Sequence, residues 1–169
     1  MIKQVLLPIL GVIIFIVVVG MFVNKSTSFS FPGVISPSPT PSSETITIGG
    51  KTIQVQIAKT QDQRTKGLSG VSKLDKNSGM LFVFDTKKTS PAFWMKDMLI
   101  PLDMIWINDN KIVKIDKDIP APTLGTLDTK LTVYSPGQPI DYVLEVNAGF
   151  SNLNSLKVGS VVNVSSISN

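Results

Sequence analysis

The chain contains neither cysteine nor histidine. Without cysteine there is no disulfide, no thiol nucleophile, no iron–sulfur cluster and no lipidated cysteine behind the N-terminal segment. Without histidine there is no imidazole base and no ordinary zinc or copper site. Catalysis would fall to Asp, Glu, Lys, Tyr, Ser or Thr, and a metal would have to be a hard ion held by oxygen. Charge of one sign is not concentrated either. Sixteen Lys and Arg stand against 12 Asp and Glu, and the only basic doublet is Lys87-Lys88. A phosphate-binding footprint gathers its basic residues on one face, so nucleic acid is not an expected partner. The G-x-x-x-x-G-K-[ST] and G-x-G-x-x-G nucleotide loops are absent, as are S-x-x-K and G-x-S-x-G; GLSGV at 67–71 misses the last by one residue. NDN at 108–110 and DKD at 116–118 match no full calcium loop and read as turns. The Met residues at 80, 95, 98 and 104 read as core filler rather than a soft-metal site. No cofactor is expected.

What is present begins with VLLPILGVIIFIVVVGMFV, from Val5 to Val23. As a helix, about 19 residues at ~1.5 Å each reach ~28 Å, close to a hydrocarbon core. No small-residue cleavage site follows, so residues 1–25 are expected to form an uncleaved transmembrane signal anchor. Lys3 and the N-terminal amine stand against Lys25 on the other flank, which favours the N-terminus inside and the rest of the chain outside the cytoplasmic membrane. Residues 26–44 are rich in Ser, Thr and Pro, with repeated Ser-Pro and Thr-Pro steps, and read as an extended spacer.

From Thr45 the apolar period becomes two. Ile46, Ile48, Ile53, Val55 and Ile57 alternate with polar residues around Gly49-Gly50, a half-buried hairpin. Thr60 to Gln63 is a capping box opening a helix over 61–66 that Gly67 stops. GMLFVFD at 79–85 and residues 102–107 are apolar on both faces and read as central strands; a turn at 108–110 and the strand KIVKI follow the second. Residues 116–132 are expected to wander over the surface. A strand at 141–146, a short helix at 151–156 and a last strand at 160–164 complete residues 45–169. The expected fold is mainly β: a small antiparallel sheet, curled or closed into a barrel, with two short helices.

The segment FWMKDMLIPLDMIWIN, from Phe93 to Asn108, holds Lys96, Asp97 and Asp103 among apolar and aromatic neighbours. On a strand, Asp103 shares a face with Ile105 and Ile107, and Glu145 shares one with Val143. Unpaired burial of either carboxylate would cost several kcal/mol, so partners are expected, with Arg64 and Lys96 the natural candidates. The alternatives are structural ion pairs or hydrogen bonds to loop backbone, a shallow ligand pocket, or a pair of catalytic carboxylates. The candidate ligand-binding residues are Arg64, Trp94, Met95, Lys96, Asp103, Tyr142 and Glu145.

IAKTQDQRTKGLSG, GMLFVFD, FWMKDMLIPLDMIWIN and YVLEVNAG, in that order, resemble the bacterial and archaeal family called domain of unknown function 192, over roughly Ile53 to Val164. The resemblance implies a small, mostly β domain, frequently exported, without an agreed activity. Its pattern usually has Asn-Thr where this chain has Asp97-Met98, and Met where this chain has Ser69. The expected function is a membrane-tethered, non-enzymatic module that binds a small polar ligand, an envelope glycan or a partner protein. The alternatives are a hydrolase of envelope glycans using Asp103 and Glu145, and a structural assembly domain.

Overall fold

The computed structural model describes residues 41–167. The expected anchor and most of the spacer lie outside them. Among the described residues no helix is long and apolar enough to cross a membrane.

The alternating residues of the N-terminal hairpin form β1 (Ser43–Ile48) and β2 (Lys51–Ala58), paired antiparallel around Gly49-Gly50. Thr60 caps α1 (Gln61–Lys66). Its side chain accepts from the Gln63 N–H, and the Gln63 side chain accepts from the Thr60 N–H, so two otherwise orphaned donors are satisfied. β3 (Ser78–Val83), β4 (Leu102–Asn108), β5 (Lys111–Ile119), β6 (Tyr142–Asn147), a four-residue α2 (Phe150–Leu153) and the two-residue β7 (Val162–Asn163) follow. The strands make one curled sheet in the order β5-β4-β6-β3-β2-β1-β7. At one end its two edges meet, where residues 159–162 exchange backbone hydrogen bonds with Asn110 and Ile112.

Two expectations need correction. The sheet is mixed, because β2 and β3 run parallel. Parallel neighbours need a crossover of a dozen residues or more, and residues 59–77, with α1, supply it. β5 also runs on to Ile119 instead of ending at Ile115. Two register irregularities against β4 break its alternation, yet Ile119 still pairs with Leu102 and is buried.

Both faces of the central strands are covered, which accounts for their lack of alternation. Inside the curl, Leu81, Ile105, Leu144 and Val146 pack with the isoleucines of β1 and β2 and with Phe150 of α2. On the outer face, Met80, Phe82, Met104, Trp106 and Val143 are roofed by Leu68 after α1 and by Met95 and Met98. The roof is made of irregular chain. Thr89 pairs with Ile140, Phe93 pairs with Tyr134, and the Gly70 N–H donates to the Asp97 carbonyl.

Candidate functional site

The outer face carries an open cleft of about 440 Å³ between α1 and the 86–98 segment. The crossover that brings β3 alongside β2 also lays Arg64, Lys66 and Gly67 along one side. Phe82 and Phe84 come from β3 and its exit, Phe93, Trp94, Lys96 and Met98 from the roof, and Glu145 from the middle of β6. Phe82 and Phe93 meet edge to face with centroids 4.9 Å apart, and Phe93 meets Trp106 likewise at 5.7 Å. These two contacts fix the aromatic wall. Trp94, next in sequence, is 55% exposed.

Four of the seven candidate residues therefore meet in one cleft: Arg64, Trp94, Lys96 and Glu145. Met95 is a buried member of the outer-face core, and Tyr142 packs inside the curl with the Lys87 ammonium 6.0 Å from its ring centre. Neither lines the cleft. Asp103 is fully buried elsewhere. Its carboxylate accepts from the backbone N–H of Asp118 (2.8 Å), Gly149 (3.1 Å) and Ser151 (2.8 Å). Three backbone donors satisfy the charge without a cation, and two of them lie at the start of α2, where negative charge is favoured. The expected pairing with Arg64 or Lys96 does not occur.

Arg64 is committed to its own surroundings. Its guanidinium donates to the carbonyls of Lys59 and Val83 (2.9 Å for the latter), to the Gln61 side chain and to Asp85 at 3.0 Å, and it lies 5.9 Å from the Phe84 ring centre. It clasps α1 to the end of β3. Lys96 pairs with Asp128 in the segment after β5, and the hydrogen bond it donates to that carboxylate, together with the carboxylate's charge, holds the ammonium above its ordinary value. The Lys96 carbonyl accepts from the Ser69 hydroxyl at 2.9 Å. Asp97 has a left-handed φ of 56°, a conformation that Asn and Asp tolerate best, so an Asn or Asp there answers a backbone demand. Met98 is buried.

Glu145 differs from all of these. It is 5% exposed, flanked across the sheet by Met80 and Met104, and among the described residues its carboxyl has no hydrogen bond or ion pair. Burial pushes the carboxyl up to about 8. It stands mostly protonated at neutral pH, able both to donate and to accept.

The sequence carried no signal for Asp128, 32 residues from Lys96. Nor did it show that Phe82, Phe84 and Phe93 would wall the cleft, since a phenylalanine in an apolar strand reads as core. No group of three or more acidic residues able to hold a metal occurs among the described residues.

The fold is similar to a protein of Sinorhizobium meliloti 1021 provisionally described as a transcription regulator, with TM-score 0.66 and 26% identity, covering 77% of this chain and 99% of that one. It is also similar to a protein of unknown function from Novosphingobium aromaticivorans DSM 12444, with TM-score 0.65 and 23% identity, covering 82% and 97%. No curated protein matches the chain significantly. The profile of DUF192, described as uncharacterized ACR, matches residues 44–164, the hairpin, the cleft and the Asp103 clasp together, and the chain belongs to that family.

Proposed function

We propose that the domain is a non-enzymatic module that binds a small polar ligand in the cleft beside Trp94, the ligand being free or carried on an envelope glycan or a partner. The observation that carries this is the pairing of an exposed indole with a buried carboxyl that has no partner among the described residues. An aromatic plane at the mouth and one polar group within are the arrangement by which small-molecule sites gain contact area and fix orientation. The apolar Val5–Val23 segment and its flanking lysines support a single-pass anchor in the cytoplasmic membrane with this domain outside.

Hydrolysis by two carboxylates finds no support, because Asp103 points into the curl while Glu145 lines the outer cleft. The provisional description of the Sinorhizobium protein finds no footing here either: Arg64 and Lys96, two of the cleft's three cations, are already paired with Asp85 and Asp128.

The test is thermal unfolding of the full chain against small saccharides, amines and amino acids. A ligand that raises the midpoint in the wild type and not in Trp94→Ala, with both unfolding cooperatively, supports binding in the cleft. Shifts that persist in Trp94→Ala place binding elsewhere.

A further inference from the structure

Glu145 sits where a structural role would not leave it. Its carboxyl has no protein partner among the described residues and keeps contact with solvent through the cleft, so water or a ligand is what meets it there. The pleat puts Glu145 on the same face as Val143, diagonal across the β3–β6 ladder from Phe82, whose ring is locked against Phe93. The carboxyl thus lies close to the aromatic wall.

The other charged groups on the cleft do not compensate it. Arg64 is bound to Asp85 and Lys96 to Asp128, while Lys66 and Asp85 lie on the exposed rim. The wall already accepts a cation, since the Arg64 guanidinium lies against Phe84. Aromatic faces carry negative partial charge, and several of them around an acidic group form the usual enclosure for an ammonium ion. A carboxylate-bearing ligand would instead meet the π faces and Glu145 with no uncommitted cation in the interior.

We propose that the cleft recognises its ligand through a cationic amino head group, primary or quaternary, which enters the cleft beside Trp94 and pairs with Glu145. This rests on the binding function proposed above and names the chemistry of what is bound. Binding converts Glu145 from acid to carboxylate. One proton leaves the carboxyl for solvent as the ammonium arrives, and no covalent bond to the ligand changes.

The experiment is titration calorimetry of the full chain with choline, whose charge does not titrate, and with its neutral carbon isostere 3,3-dimethyl-1-butanol. Buffers of differing ionisation enthalpy are used from pH 6 to 9. Choline affinity is expected to rise about tenfold per pH unit below 8 and level off above it, with close to one proton released at pH 6.5. The isostere should bind more weakly and without this slope. Glu145→Gln should lower choline affinity at least tenfold at pH 8 and abolish proton release while remaining folded. Further arms with n-butylammonium and a lysine tripeptide capped at both ends separate a free amine from a protein lysine, and tighter binding by either supports the proposal. Equal affinity for choline and its isostere, no proton release, or no binding by any of the three cations at 50 mM overturns it. A neutral saccharide that binds in a Trp94-dependent way without releasing a proton would sink this inference and leave the binding function standing.

Discussion

Asp103 and Glu145 stand one register step apart on the neighbouring strands β4 and β6, yet their carboxyl groups serve opposite faces of the sheet. Asp103 is paired with Val146 and Glu145 with Met104, so the pleat sends one inward and the other outward. Inward, three N–H groups receive a carboxylate. Outward, the described residues offer no donor.

Replacing Asp103 by Ala is expected to cost about 3–5 kcal/mol, because it leaves the buried N–H of Ser151 and the half-buried N–H groups of Gly149 and Asp118 unmatched and removes the negative charge at the start of α2. Asp103→Asn, which keeps the shape and one acceptor, should cost about half as much. Urea unfolding of both variants checks this. A loss below 1 kcal/mol for the alanine would show that the clasp is dispensable.

Glu145 predicts a stability that falls as pH rises. Its folded value, about 8, lies above the ordinary 4.5. Below the ordinary value both states are protonated and no penalty arises. Between the two values only the unfolded chain ionises, so stability declines by up to about 1.4 kcal/mol per pH unit, and above the folded value the decline stops. Glu145→Gln should remove this slope and make the protein more stable than wild type at pH 8, by on the order of 3 kcal/mol. Denaturant midpoints at pH 5, 6.5 and 8 for both proteins are the measurement.

Gly79→Ala should be severely destabilising. A Cβ at this position would lie 2.5 Å from the Glu145 carbonyl oxygen and 3.0 Å from a Val146 methyl, and a backbone oxygen in mid-sheet cannot step aside. A loss of about 3 kcal/mol or more is expected from thermal melts. Gly50→Ala serves as the control: no neighbour lies within 4 Å, leaving only the strain of its left-handed φ.

Arg64→Ala should cost about 2 kcal/mol and Asp85→Ala less than about 0.5. The Asp85 side chain is 79% exposed, so its ion pair adds little, whereas the bonds from Arg64 to the Lys59 and Val83 carbonyls tie α1 to β3. Equal losses in urea unfolding would assign the clasp to the ion pair instead.

The hairpin, the capped helix and the two-faced strands were legible because period-two alternation, a capping box and unbroken apolar runs are local signals. Glu145 was correctly placed beside Val143 for the same reason. The parallel β2–β3 pair was not legible, since nothing local distinguishes a crossover from a surface loop. The end of β5 was hidden by its bulges, which put Asp116 within reach of the Trp106 indole N–H at 2.7 Å and give Asp118 a positive φ. For Asp103 the expectation of hydrogen bonds to loop backbone holds, whereas the choice of Arg64 or Lys96 as its partner misled, because a cation is the commoner partner for a buried carboxylate and the sequence does not show three N–H groups converging from residues 118, 149 and 151.

The meeting of the sheet's two margins at residues 159–162 has a consequence for solubility. Those few residues cap the bare polar groups of β1 and of the start of β5 at once. A chain clipped after Val158 would present two unprotected strand borders, each a template onto which another copy could zip. Residues 159–163 thus act as a seal against self-association, and the loss of so short a stretch by proteolysis would open both borders to a second copy.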